Sequence, residues 1–159
     1  MRRDLIALPD ESKTWVYQCA EPVTDDQAEQ IRNELYEFTM QWQSHGVELD
    51  CYANLFHNQF LVFVADPSNL PSGCSIDASV HFVQQLGTRH GKDFMDRTTF
   101  AYMDGDHVKT IHKDDLKEAY GQGIIGDETF MFNNLVSGKD QFLMEWIIPL
   151  NQSWHKKFV

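Results

Sequence analysis

The most regular pattern in the chain is a stripe of apolar side chains with helical spacing in its first third. These side chains recur at intervals of three and four residues: Ala28, Ile31, Leu35, Phe38 and Trp42. Thr24 precedes the stripe and is typical of a helix N-cap, because Gln27 follows three residues later and completes a capping box. The pattern predicts one helix that begins near residue 25 and ends at His45 and Gly46.

A second helix and two paired strands follow. Residues 49–55 alternate apolar and polar side chains, which predicts a strand with one buried face. Residues 60–65 are apolar throughout, so we expect a central strand that is covered on both faces. The break at His57 and Asn58 predicts that the two strands form a hairpin. The next helix is predicted over residues 75–88, with these side chains inward: Ile76, Val80, Val83 and Leu86.

Two outer strands complete the first part of the predicted fold. They span residues 13–20 and 98–103, and both are rich in aromatic and β-branched side chains. The order is then β-α-β-β-α-β, which is ferredoxin-like. We therefore predict an α+β fold with a mostly antiparallel sheet that helices cover on one face. Residues 1–159 would form a single domain, in which residues 1–11 precede the first strand and are expected to be mobile.

The last third of the chain extends this arrangement. Asp104 and Gly105 predict a tight hairpin turn into a strand over residues 107–111. A short helix over residues 114–120 and a further strand over residues 129–136 would follow. A C-terminal helix is then predicted, capped by Ser137 and ended by Pro149, with these side chains inward: Phe142, Leu143, Trp146 and Ile147.

Charge and cysteine content narrow the class of protein. The 159 residues carry a formal charge of −11, and no Lys or Arg lies between Arg32 and Arg89. Nucleic-acid and anionic-membrane binding both need clustered basic side chains, so we expect neither partner. The cysteines are three, widely spaced: Cys19, Cys51 and Cys74. An odd, sparse set of cysteines favours a reducing compartment, and we expect a cytoplasmic protein.

The densest group of candidate functional residues begins the second predicted helix. It comprises Ser72, Gly73, Cys74, Ser75 and Asp77. Free backbone N–H groups converge at a helix N-terminus, where a cysteine can become nucleophilic and hydroxyl groups can hold a polar ligand. We therefore treat the five residues as a candidate binding site and Cys74 as the candidate catalytic group. Two amides near the end of a later predicted strand are candidates for the same groove: Asn133 and Asn134.

A structural interpretation of this segment remains open. Ser75 would then be a helix N-cap, Gly73 would relieve a tight turn and Cys74 would be a small buried side chain. Asp77 and His81 lie four residues apart on a helix face that is otherwise polar, which is typical of a solvent-exposed face. Seven residues separate Cys74 from His81, about 10 Å of helix rise, so direct proton transfer between them is not expected.

No spacing of ligand residues predicts a metal site or a cofactor site. The sequence has no C-x-x-C and no H-E-x-x-H motif, and Asp104 to His107 lacks the further oxygen ligands of a calcium loop. The segment from Gly87 to Asp93 has neither the spacing of a Walker A motif nor its position before a helix. We therefore expect no metal, no cofactor and no ATP site.

Four short segments resemble a small uncharacterised bacterial family of similar length. They are residues 15–18, 72–77, 132–136 and 153–155, which include the motifs SGCSID and SWH. Members of that family are often labelled ABC-transporter ATPases, but the Walker A motif is absent from this chain. The resemblance implies a bacterial protein and assigns no catalytic residue.

Two classes of function follow from these observations. The first is a binding or interaction protein that takes a small polar ligand or a partner segment near Ser72–Asp77. The open sheet edges would also allow a second copy of the chain or another protein to pair with it. The second class is a thiol-dependent enzyme that uses Cys74. Whether the protein is an enzyme is not decided by the sequence.

Overall fold

The computed structural model describes residues 1–69 and 73–159 of the chain. The α-helices in these ranges are α1 (Asp25–Gln41), α2 (Gly73–His90), α3 (Leu116–Gly121) and α4 (Lys139–Glu145). The strands are β1 (Lys13–Gln18), β2 (Gln43–Ser44), β3 (Val47–Glu48), β4 (Cys51–Phe56), β5 (Phe60–Ala65), β6 (Thr99–Asp104), β7 (His107–His112), β8 (Phe130–Phe132) and β9 (Ile147–Pro149). Ser72 lies outside the described residues.

The strands form two main sheets, and every pairing within them is antiparallel. In the first sheet, β5 lies between β1 and β4. In the second sheet the order is β7-β6-β8-β9. The short strands β2 and β3 pair separately with each other. The mixed α+β class and the mostly antiparallel sheets are therefore confirmed.

The side chains of β5 show how the layers are stacked. Leu61 and Phe63 pack with buried side chains of α1 and α2. Phe60 and Val62 point to the opposite face, where they pack with Ala101 of β6 and with apolar side chains of β8 and α4. The far face of the second sheet is covered by α3 and the C-terminal segment. Because β5 is buried between two layers, it needs apolar side chains on both faces, as its sequence predicts.

The first half of the chain matches the sequence pattern closely. Thr24 caps α1: its hydroxyl accepts the backbone N–H of Gln27, and the Gln27 side-chain oxygen accepts the backbone N–H of Thr24. The predicted capping box and the hairpin of β4 and β5 are confirmed. α1 ends at Gln41, four residues before His45, because β2 and β3 form a small hairpin there.

The predicted ferredoxin-like sheet holds only through β5. In that arrangement the Thr99–Asp104 strand would pair with β1 at the edge of the first sheet, but it lies inside the second sheet between β7 and β8. Phe100 and Tyr102 of this strand face α3 and the C-terminal segment, whereas Ala101 faces the first sheet. A strand that buries apolar side chains on both faces is stabilised as a central strand, which explains the difference.

The C-terminal third departs most from the expected elements. The strand predicted over residues 129–136 is only β8, after which Asn133 and Asn134 leave the sheet. The predicted C-terminal helix ends at Glu145, and Ile147 belongs to strand β9. Two adjacent isoleucines favour a strand, which explains the early end of the helix. Ser137 is not its cap, since Gly138 occupies that position, and Leu143 is exposed.

Both ends of the chain pack onto the domain. Arg2 pairs with Cys51 at the edge of β4, and Leu8 is buried between the sheets. The buried ammonium group of Lys139 donates a hydrogen bond to the Leu8 carbonyl, 2.5 Å away. Residues 1–11, expected to be mobile, are therefore attached by several contacts. At the other end, residues 154–158 form a 3₁₀ turn in which His155 is buried.

Among the residues described, no helix combines the length and apolar character required to cross a lipid bilayer.

Candidate ligand-binding cavity

A cavity of about 320 Å³ lies between β1 and β6. The segment from Phe94 to Arg97 bounds it on one side, and the residues that follow β8 bound it on another. Trp154 and His155 of the C-terminal segment complete the wall. The cavity therefore forms where β1 has no neighbouring strand along its outer edge. In the described part of the chain, that edge makes only isolated bridges at its two ends, from Lys13 to Gly138 and from Gln18 to Met95.

Most of the cavity wall is apolar and aromatic. The side chains that supply it include Val16, Phe94, Phe100, Phe132 and Trp154. Trp154 and Phe100 meet edge to face, with ring centroids 5.3 Å apart and an interplanar angle of 88°. This is a favourable arrangement of two aromatic rings, so the contact stabilises this part of the wall.

A chain of hydrogen bonds fixes the amide groups on one side of the cavity. The buried Gln18 donates to the Thr99 carbonyl at 2.8 Å and accepts from the Asn134 amide at 2.9 Å. Asn134 in turn accepts the indole N–H of Trp146, also at 2.9 Å. Each amide is thereby locked in one orientation, and the chain joins β1 to β6 and to the segment between β8 and α4.

The C-terminal segment places an imidazole at another side of the cavity. Nδ1 of His155 is 2.5 Å from the hydroxyl oxygen of Ser153, and both residues are buried. The His155 ring stacks on Trp154, and its plane lies nearly perpendicular to that of Phe100. Burial lowers the pKa of His155 to about 4, so the imidazole is neutral near pH 7.

Asp96 and Arg97 bring charge to the cavity wall. Burial disfavours ionisation of Asp96, but hydrogen bonds from the backbone and side chain of Thr98 outweigh it and lower the pKa of the carboxyl group. Oδ1 therefore holds its own loop, whereas Oδ2 is buried and has no hydrogen-bond partner among the described residues. Arg97 is exposed and also lines the cavity.

The residues predicted at the start of α2 lie in a separate, shallow groove. α2 begins at Gly73, so Ser75 is in its first turn and is not the N-cap. Cys74 is exposed, which excludes the interpretation as a buried filler, and it shares the groove with Trp42 and His45. The Ser75 carbonyl accepts the Trp42 indole N–H at 2.9 Å. Gly73 and Asp77 are both exposed.

The two predicted asparagines have different surroundings from the start of α2. Asn134 lines the main cavity, and its neighbour Asn133 accepts the indole N–H of Trp154 at 2.9 Å. The structure therefore does not place Gly73–Asp77 and the asparagines around one space. Sequence reasoning missed Gln18 and His155 as cavity residues. The only available signal was the motif Ser153-Trp154-His155, which is unusually aromatic for a chain end.

The remaining candidate motifs have structural roles. His81 is exposed on the polar face of α2, as the spacing predicts. Gly105 has a φ of 61° in the turn between β6 and β7, a conformation that glycine adopts without strain. Within residues 1–69 and 73–159, no group of three or more His, Cys, Asp or Glu side chains could hold a metal ion.

No protein-family model, no curated protein and no solved structure matches this chain.

Proposed function

We propose that this protein binds a small molecule in the cavity between β1 and β6. The observation that carries the proposal is a mostly apolar cavity in which the amide groups of Gln18 and Asn134 are already fixed by hydrogen bonds. Its volume of about 320 Å³ is at the lower end of the range for ligand sites. Apolar walls supply most of the binding free energy in such sites, while a few oriented polar groups select the ligand.

The fixed amides support binding rather than a role in packing alone. If Gln18 and Asn134 only filled space, apolar side chains in their place would leave fewer buried polar atoms to satisfy. The two amides instead line a cavity that is large enough for a ring compound. A preorganised site loses little conformational entropy when a ligand enters, so affinity does not depend on a large contact area.

A thermal-shift screen with neutral ring compounds of about ten non-hydrogen atoms tests this proposal. Compounds that bind the folded protein raise its melting temperature in a concentration-dependent manner. Val16→Phe would fill the cavity and should remove these shifts. The matched control is Val47→Phe, because Val47 is exposed in β3 and lies outside the cavity. Equal shifts in both variants would contradict the proposal.

The composition supports a cytoplasmic setting and a ligand other than nucleic acid. The net charge of −11 repels phosphate backbones, and the cysteines Cys19, Cys51 and Cys74 are all free. We propose no membrane or nucleic-acid partner on these grounds. The outer strands of the second sheet, β7 and β9, each have one edge with no paired strand among the described residues, so pairing with a second copy is a further candidate interaction.

Thiol chemistry at Cys74 is the second candidate function. The specific observation is that His45 lines the same groove as this exposed cysteine. A histidine close to a cysteine can accept its proton and make the thiolate. His45 has a φ of 53°, a conformation uncommon for a residue with a side chain.

The rate of iodoacetamide alkylation as a function of pH tests the second candidate. A Cys74 thiolate stabilised by His45 would react rapidly below pH ~7, well under the ordinary thiol range. His45→Gln should then move the reaction to higher pH, and Cys74→Ser should abolish it. A rate that rises only near pH ~8.5, and is the same in His45→Gln, would exclude the thiol function.

A further inference from the structure

The polar groups that face the cavity differ in what hydrogen bonds they still offer. Gln18 Oε1 accepts from Asn134, and Asn134 Oδ1 accepts from Trp146. Asp96 Oδ1 accepts from both the backbone and the hydroxyl group of Thr98. Asp96 Oδ2, by contrast, is buried and has no hydrogen-bond partner among the described residues. The groups that remain available are therefore this acceptor and the donors of Asn134, Arg97 and His155.

The hydrogen bonds of Ser153 determine which nitrogen of His155 carries the proton. The Ser153 hydroxyl oxygen accepts the backbone N–H of His155 at 3.4 Å. Nδ1 of His155, at 2.5 Å, is the acceptor available to the hydroxyl proton of Ser153 within the described residues. A buried hydroxyl proton needs an acceptor, so Nδ1 takes this role and the imidazole proton resides on Nε2.

This Nε2–H is an unused donor at an aromatic wall. Nε2 has no hydrogen-bond partner among residues 1–69 and 73–159, although His155 lines the cavity. Phe100 and Trp154 contact the buried imidazole ring. A donor of this kind binds an acceptor strongly and discriminates against molecules that lack one, because its desolvation is otherwise uncompensated.

We infer that the Nε2–H of His155 selects the ligand, which is a neutral planar ring compound with a carbonyl oxygen or ring nitrogen as acceptor. This inference rests on the proposed binding function of the cavity. The imidazole is uncharged, and the Asp96 carboxylate on the same wall would repel an anion, whereas Arg97 is exposed to solvent; the acceptor therefore belongs to an uncharged group. The aromatic side chains Phe94, Phe100, Phe132 and Trp154 favour a flat molecule.

A pair of matched probes isolates the hydrogen bond. Acetophenone and α-methylstyrene have nearly the same size and skeleton, but the carbonyl oxygen of the first is a methylene group in the second. Titration of the ¹⁵N-labelled protein with each probe, followed at the Trp154 indole N–H, gives two dissociation constants. We expect acetophenone to bind about five-fold more tightly, which is the effect of one net hydrogen bond.

Variants of the histidine and its serine partner complete the test. His155→Phe keeps an aromatic ring and removes the donor, so the two probes should bind equally. Ser153→Ala keeps the histidine but releases its tautomer, so the preference should fall; this variant also serves if His155→Phe does not fold. If Ser153 had only a structural role, Ser153→Ala would lower the stability of the protein and leave the ratio of the two dissociation constants unchanged.

The outcomes separate this inference from the function on which it rests. Equal affinities for both probes in the unaltered protein, with shifts at Trp154, would overturn the role of His155 and leave the binding cavity standing. A preference that persists in His155→Phe would also overturn it and would assign the contact to Asn134. The absence of any binding by either probe would contradict the cavity function itself, and the inference with it.

Discussion

Removal of the Asn134 side chain should destabilise the protein far more than its half-buried position suggests. Asn134→Ala breaks two hydrogen bonds of 2.9 Å, one to Gln18 and one from Trp146. Gln18 and Trp146 are both buried, so each keeps a polar atom without its partner. An unsatisfied buried group costs about 1–3 kcal/mol, and water that enters the cavity would recover part of this. We expect a loss of about 2–3 kcal/mol.

Urea unfolding followed by tryptophan fluorescence measures this loss, and calorimetry should show a melting temperature lower by about 5–10 °C. Asn151→Ala is the matched control, because Asn151 is exposed and the change should cost less than about 0.5 kcal/mol. A double-mutant cycle with Trp146→Phe should give a coupling energy of at least about 0.5 kcal/mol. If Asn134→Ala were no less stable than the control, the amides would not be held as described.

Three further predictions concern the cavity wall, its pKa values and the free thiols. The free energy of unfolding should be at its full value above pH ~6.5 and fall by about 3 kcal/mol as the pH decreases through the His155 pKa of about 4. The cause is that the unfolded chain binds a proton at His155 more readily than the folded protein does. Acid titrations of His155→Gln should lack this loss of stability. Trp154→Ala should lower the free energy of unfolding by about 2–4 kcal/mol in urea titrations, because it removes the contact with Phe100. An unchanged free energy of unfolding would contradict the packing of the C-terminal segment. Only Cys74 should react with iodoacetamide in the folded protein at pH ~8 and give a single adduct by mass spectrometry, because burial raises the pKa values of Cys19 and Cys51 to about 11.

Local patterns predicted the first half of the fold because the relevant interactions are close in sequence. The capping box of Thr24 and the hairpin across His57 and Asn58 involve residues only a few positions apart. The continuous apolar run from Phe60 to Ala65 also indicated a strand covered on both faces. The same run could not show that the layer on the second face of β5 is another sheet rather than a helix, since a sheet and a helix would bury the same side chains.

The site was harder to predict because its residues are distant in sequence. Gln18 and Asn134, which hydrogen-bond to each other, are 116 positions apart. The sequence around each residue has no motif that indicates a site, and no spacing rule predicts a contact between residues so far apart. The sequence marks Asn134 as a candidate, but its hydrogen bond to Gln18 depends on the position of β6 in the second sheet, which leaves the outer edge of β1 without a neighbouring strand.

Crystallography of the protein grown with 4-bromoacetophenone is the most direct test of the binding cavity. Bromine scatters anomalously, so its position is found without assumptions about the ligand's orientation. The proposed function predicts a bromine peak between β1 and β6, enclosed by Val16, Phe100 and Trp154. A peak only in the groove beside Cys74, or only on the outer surface with the cavity empty, would contradict it.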